Sequence, residues 1–536
     1  MKKLKLVCVA IAMAGAAPTF AGGLLTNTNQ HVAFNRMMSR EASIGIDGVY
    51  YNPAGVVFMG EGHHLAINWQ LAYQTRTINN DYKLFTNNVN NPITPRDFKG
   101  KAFAPVIPSF QYAYNKGKWS FQANFSLTGG GGKCTFDDGL GSFEKIVSET
   151  AIAACGLAGV VDQTLGNKLG QPGMEMFTSD QAFGKTGKYS FNSYMHGRQY
   201  YYGLSAGAAY KFCDNFSAFL GVRGVYALTN YYGYVENINV GNMPLYKVLD
   251  PTKENAANIE LSCDQTGVGF TPIIGVDYKT GRWNFSAKYE FKTRIRLKNK
   301  SVNQTPSIGN LPANLANQMT GILTARYQQA GLPLEQAKQQ AENTTNAVLN
   351  DPTVGATMMG LKTQFDQKLN KAIGEYEDGK KIAGDIPGYL ALGIGYSPVD
   401  AVRVNVGFHW FDDKNATSYN NRNKELKRGT LEYNAGVEVD VNKKITLSTG
   451  WQNTNYGLSD EYMDDKSFVV SSNSVAIGGV YHINKKMDLN VAYFHTFYQH
   501  KKTSETVQLA ADKSIVYNSD YTRNNNVFAV GLDINF

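Results

Sequence analysis

The chain ends on a segment whose side chains fall into two rows. Phe528, Val530, Leu532, Ile534 and Phe536 form one row; Val527, Ala529, Gly531, Asp533 and Asn535 form the other. Successive side chains of a β-strand point to opposite faces, so one face of this segment is wholly apolar and the other is small or polar. The pattern recurs upstream. Leu431, Tyr433, Ala435, Val437, Val439 and Val441 alternate with Glu432, Asn434, Gly436, Glu438 and Asp440. The turn Asn442-Lys443-Lys444 then leads into Ile445, Leu447, Thr449 and Trp451. Further tight polar turns fall at Asn115–Lys118, Lys211–Asn215, Lys279–Arg282, Ser397–Ala401 and Asn484–Lys486. A short turn between two alternating runs is the signature of a hairpin. Six such turns, with a first strand near residues 63–78 and the terminal strand, predict fourteen antiparallel strands. Twelve or sixteen follow if an irregular region hides or imitates a hairpin.

A soluble chain of 536 residues would divide into several cores. A membrane barrel need not, because each strand only has to present one row to lipid and one to the lumen. The composition suits a barrel, with 53 Gly, 32 Tyr and 28 Phe and only 18% charged residues. Mean hydropathy of −0.32 excludes a bundle of membrane helices. The one long apolar run, Leu4–Ala21, follows Lys2, Lys3 and Lys5 and ends in Thr19-Phe20-Ala21, which reads as a signal peptide over residues 1–21. Its loss lowers the formal charge from +8 to +5, and no basic patch interleaves with aromatics, so nucleic acid is not an expected partner. An even strand count with short turns at one end and long loops at the other is the plan of a bacterial outer-membrane barrel. The apolar row ending on Phe536 resembles the C-terminal signal read by the outer-membrane assembly machinery. That machinery, outer-membrane lipid and lipopolysaccharide are therefore the expected partners of a monomeric barrel.

Two outer connections are long. Residues 129–199 open on Gly129-Gly130-Gly131-Gly132 and carry a small-residue run, Glu149–Gly159, with helical character. Residues 299–386 contain Leu334–Leu349 and Met358–Ile373, both with helical spacing. Helical caps over the outer mouth and flexible loops are equally compatible with this. Residues 22–62, between the signal and the first strand, lack strand alternation and end in Val49-Tyr50-Tyr51-Asn52-Pro53-Ala54-Gly55. Pro removes a backbone donor and Gly admits unusual dihedrals, so a compact irregular turn is predicted there. A barrel this wide has a lumen its own wall cannot fill, and irregular backbone inside it is tolerated when buried in protein. A hatch over residues 22–62 inside a barrel over residues 63–536 satisfies both requirements.

The segment Gly45-Ile46-Asp47-Gly48-Val49-Tyr50-Tyr51-Asn52-Pro53-Ala54-Gly55, placed just before the first of fourteen strands, resembles the FadL-type long-chain fatty-acid transporter family. The resemblance implies an all-β barrel with the hatch folded inside it, and Asn52, Pro53, Ala54 and Gly55 meeting a kink in the third strand. It implies capture of a hydrophobic ligand by outer loops, passive passage past the hatch and lateral exit through the wall. Long-chain fatty acids are the expected cargo; aromatic hydrocarbons, or general diffusion through a porin, are the alternatives. The third strand is read as Trp119–Thr128, running into Gly129–Gly132. Thr128, Gly129, Gly130, Gly131 and Gly132 are accordingly the candidate lateral opening, or else only a loop entrance at the outer end of the strand.

Enzymatic chemistry finds little support. Gly203-Leu204-Ser205-Ala206-Gly207 matches a hydrolase elbow in letters, but that chemistry needs a strand-to-helix turn, and this stretch lies within an alternating strand. Asp137-Asp138 and Asp464-Asp465 read as solvated loop charge rather than calcium ligands, and no spacing of Cys and His suggests a metal. No enzyme activity, cofactor or metal is expected. Arg223, Lys288 and Arg403 sit in lumen-facing rows. Each is a candidate for a ligand carboxylate, or for an ion pair across the lumen with residues such as Glu290 or Glu438. Cys134 and Cys155 share one outer loop and could bridge, whereas Cys213, at a periplasmic turn, should not reach Cys263.

Overall fold

A computed structural model describes residues 25–26, 29–306, 309–510 and 513–536; the expected signal peptide lies outside them. The wall begins with β1 (Gly62–Tyr82), β2 (Arg96–Lys116), β3 (Trp119–Phe136), β4 (Tyr189–Cys213), β5 (Phe216–Val240) and β6 (Ile259–Thr280). Strand β7 runs through Trp283–Glu290 and Arg296–Gln304, and β8 through Lys381–Ala383 and Tyr389–Val399. Next come β9 (Val402–Phe411), β10 (Arg428–Asn442), β11 (Ile445–Gly457) and β12 (Ser472–Asn484). The wall ends with β13, through Met487–Tyr498 and Lys501–Ala510, and β14 (Lys513–Asn535). Neighbours pair antiparallel throughout, and β1 pairs β14 from His64↔Asn535 to Tyr82↔Tyr517, so the sheet has no free edge. Phe536 seals the seam: its carbonyl accepts from the His63 amide at 2.7 Å and its ring stacks on His63.

All six expected short turns join the strands they were read as joining. The two rows of β14 are also as read. Phe528 and Val530 are exposed on the lipid side, while Val527 and Ala529 are buried against the lumen contents. The long connections are shorter than their sequence boundaries, because β3 continues to Phe136, β4 begins at Tyr189, and β7 and β8 extend to Gln304 and Lys381. Beyond the apolar band both faces of a strand meet water, so the alternation that marks a strand in sequence fades there.

The connections fold into a helical cap. Helix α3 (Gly141–Leu169) follows β3, α4 (Tyr246–Leu249) follows β5, and α5 (Leu311–Gln329), α6 (Leu334–Leu349) and α7 (Pro352–Ile373) lie between β7 and β8. One apolar cluster draws on all five, through Val161, Val248, Met319, Val348 and Val354. Inside the lumen, the hatch carries α1 (Val32–Met37), α2 (Gly48–Tyr51) and a 3-10 turn, Gly55–Phe58, with every residue of α1 buried. Inward-facing Gly436 of β10 and Gly450 of β11 lie against the backbone of Met37, and a methyl group at either would collide with its carbonyl.

Candidate functional site

The ladder between β2 and β3 is interrupted at one level. Strands β2 and β3 pair below at Ser109↔Ser126 and above at Phe103↔Lys133, with no pairing between. On β2 the unpaired stretch is Ala104-Pro105-Val106-Ile107-Pro108, whose two prolines have no N–H to give the ladder. On β3 it contains Leu127–Gly132. There, Thr128 and Gly131 are extra residues against β4, which pairs Leu127↔Tyr202, Gly129↔Tyr201, Gly130↔Tyr200 and Gly132↔Gln199. Two bulges so close bend the strand away from β2. Gly130 has φ +76°, and a side chain there would strike the Gln199 carbonyl. The glycine cluster therefore lies within the strand, four residues short of its outer end, rather than at a loop entrance.

A hatch side chain spans the break. Gln30 Nε2 donates to the Leu127 carbonyl of β3 at 2.7 Å, while the Gln30 carbonyl accepts from Ser109 Oγ (2.7 Å) and Gln111 Nε2 (2.9 Å) of β2. The Gln30 amide in turn donates to the Tyr51 hydroxyl. Gln30 thus replaces, from inside, the ladder that the prolines and bulges remove.

Beside it lies a cavity of about 260 Å³, lined by Gln30, Thr128, Gly129 and Gly130 on the side of the break and by Phe468, Phe494 and Tyr498 opposite. Two arginines also face it. Arg76 of β1 and Arg523 of β14 are direct cross-strand partners. Gln74 Oε1 accepts from Arg76 Nε (3.1 Å) and Arg523 Nη2 (2.6 Å), and Arg523 also lies over the Tyr498 ring. No carboxylate of the described residues pairs with either guanidinium, and Arg523 Nε is buried without a partner. Like charges directly opposite on a sheet oppose folding, and close burial heightens the cost.

The three cations read from the sequence are already paired. Arg223 holds Glu290 in a two-pronged contact (2.6 and 3.0 Å), and Lys288 reaches the same carboxylate at 2.9 Å and the Tyr50 carbonyl at 2.7 Å. Arg403 pairs with Asp440 (2.6 Å) and Glu438 (3.3 Å). The ion-pair alternative is the one adopted, because each of these three cations has a carboxylate within side-chain reach. The expected cysteine bridge is likewise absent: Cys134 and Cys155 are free thiols, one packed with Phe136 in the barrel mouth and the other with Val161 in the helical cap. Cys213 and Cys263 are also free.

The Asn-Pro-Ala-Gly turn meets the wall lower down. Asn52 Nδ2 donates to Asp277 of β6 (2.6 Å), Gln122 Nε2 of β3 to the Pro53 carbonyl (2.7 Å), and Ser217 Oγ of β5 to the Ala54 carbonyl (2.7 Å). The Gly55 amide donates to Asn52 Oδ1 and closes the turn. The turn touches β3, but several residues from the break. At the break the hatch contact is Gln30, which no residue pattern distinguishes. Pro105 and Pro108, inside an otherwise alternating run, are the signal by which the break could have been found in the sequence.

No family model matches the sequence, and no curated protein matches it. Solved structures do match the fold. A FadL homologue from Pseudomonas aeruginosa superposes with a TM-score of 0.57 at 13% identity, over 96% of this chain and 100% of that one. Toluene transporters follow: TbuX of Ralstonia pickettii (TM-score 0.47, 13% identity, 94% and 97% covered) and TodX of P. putida (0.48, 12%, 92% and 94%). The likeness to the first is one of fold: this chain shares the plan of that homologue, with its own fourteen antiparallel strands closed around an N-terminal hatch.

Proposed function

We propose that this protein carries hydrophobic compounds across the bacterial outer membrane, and that its cargo is a long-chain fatty acid or similar apolar tail with a carboxylate head. The observation that carries the reading is the Arg76–Arg523 pair, two guanidinium groups without a carboxylate partner at the wall of a cavity that also presents Phe468, Phe494 and Tyr498, polar side chains such as Gln70, Asn525 and Lys466, and the break in the barrel. A ligand carboxylate would relieve that repulsion and accept charge-assisted hydrogen bonds from both. The tail would lie toward Phe468, Phe494 and the break, and leave sideways between β2 and β3 when Gln30 lets go. The hatch that fills the lumen speaks against a general diffusion porin.

The test is binding and uptake of labelled oleate, with toluene in parallel, in cells and purified protein carrying Arg76→Gln together with Arg523→Gln. Loss of oleate binding with toluene unaffected supports the carboxylate reading. Unchanged oleate handling would contradict it, and toluene as the only compound taken up would establish the aromatic alternative.

A further inference from the structure

We infer that the outer surface of β2, β3 and β4 binds the phosphorylated head group of an outer-leaflet glycolipid, through Lys101, Lys133 and Arg198. The inference rests on the orientation proposed above, with the short turns in the periplasm, but not on the identity of the cargo.

The outward row of β4 reads Leu204, Tyr202, Tyr200 and then Arg198 toward the cap. On β2 the apolar outward residues Val106 and Phe103 are followed by Lys101 and Lys99. Apolar and aromatic side chains thus give way to cations at one height on adjacent strands, which is where a barrel leaves hydrocarbon for head groups. Register gathers the cations. Phe103 faces Lys133, so Lys101 lies diagonally beside Lys133, and Lys133 is directly opposite Arg198. Diagonal and direct cross-strand neighbours lie within about 5–8 Å of one another.

The cluster lacks an internal counter-ion. Among the described residues no carboxylate forms a salt bridge with Lys101, Lys133 or Arg198, and Arg198 Nε is buried without a partner beneath a guanidinium packed on Tyr200. The neighbouring acids are committed elsewhere: Asp97 pairs with Lys99 and accepts from Asn79, and Asp264 accepts from Asn230. Lys133 and Arg198 opposed on an open wall repel each other unless an anion lies between them. In the outer leaflet the anion available at that depth, attached to chains that suit the apolar row below, is a lipid phosphate. Lysine and arginine are the side chains that recognise phosphate as point charge and as fork. The site also adjoins the break between β2 and β3, so a glycolipid held there would sit beside the proposed exit.

The experiment uses the full-length protein in detergent and native mass spectrometry with three probes: bis-phosphorylated lipid A, enzymatically dephosphorylated lipid A and inorganic phosphate. The wild-type protein is expected to hold bis-phosphorylated lipid A. The variant Lys101→Glu with Lys133→Glu and Arg198→Glu is expected to lose it by at least about tenfold. Lys101→Gln with Lys133→Gln, a milder change on an exposed surface, should show an intermediate loss even if the charge reversal compromises assembly. Equal retention by wild type and both variants overturns the proposal, as does equal retention of dephosphorylated lipid A or complete displacement by inorganic phosphate. Oleate binding is measured on the same samples. None of the three cations lines the cavity, so its persistence in the variants separates this proposal from the cargo reading.

Discussion

Arg76 and Arg523 face each other across the barrel seam with Gln74 as their shared acceptor. Replacing one arginine relieves the repulsion while halving the attraction for an anion. Arg523→Gln should therefore raise thermal stability slightly and weaken oleate binding by about ten- to a hundredfold, the value of one charge-assisted contact at about 1.5–3 kcal/mol. Calorimetric titration and a melting curve read both. Gln30 invites the opposite prediction. Gln30→Ala should accelerate amide exchange in residues 127–130 and leave the lower wall protected, since the Gln30 amide group is what holds the unpaired strand from inside. Unchanged protection would show that the break is held by other contacts. Native alkylation provides a third check at this scale: Cys213 is exposed and should react, whereas Cys134, Cys155 and Cys263 are buried and should react only after unfolding, without reductant. The sequence revealed the Asn52–Gly55 turn because Pro and Gly restrict backbone geometry visibly. Gln30 left no such trace, since a polar side chain at the end of an irregular segment has no periodicity to betray what it touches. Arg76 and Arg523 were hidden for another reason, being 447 positions apart until the barrel closes.

Strands were the legible elements, and the boundary of legibility follows the membrane. Within the apolar band the lipid row must be apolar, so β10, β11 and β14 can be read directly from alternation; above it the constraint lapses, and nearly the outer half of β3 and β4 passes for loop. Helix α6 kept its boundaries because its apolar spacing survives in a polar segment, while α5 was missed among the Gln- and Asn-rich residues around it. The cap should be sensitive to pH. Burial pushes the Glu375 carboxyl, in the turn after α7, up to about 8, although Lys466 opposes the shift. Burial and the neighbouring Asp464 push Asp465 up to about 6, even as it accepts from the Ser142 amide and hydroxyl at the start of α3. A carboxyl raised in the folded state favours its neutral form, so its contribution is complete below its unfolded pKa and is lost as pH rises through the folded value. Exchange protection factors around residues 374–379 and 460–466 should therefore fall between about pH 5 and 8.5. Glu375→Gln should flatten the upper part of that dependence; an identical profile in the variant would assign it elsewhere.

The molecule as a whole anchors its hatch unevenly. Toward β9–β11 the hatch is held by buried ionic contacts: Arg36 and Arg40 on Glu438, and Glu41 on His409, itself paired with Glu432. Toward β2 and β3 it is held by neutral hydrogen bonds, through Gln30 and the Pro53 carbonyl. Breaking a buried ion pair costs several times as much as breaking a neutral hydrogen bond. Movement should begin on the β2–β3 side, beside the break and the arginine-lined cavity, while the opposite side stays fixed. The central claim is thus that the cargo leaves through the wall at this break. It is tested most directly by deleting the two extra residues of β3, Thr128 and Gly131, which restores regular pairing with β4, together with Pro105→Val and Pro108→Val, which return the missing N–H donors to β2, and measuring labelled oleate uptake in cells lacking any other route. With equal amounts of heat-modifiable barrel at the surface, the wild-type protein should support uptake and the repaired wall should reduce it to background. Uptake through the repaired wall at the wild-type rate would contradict the account.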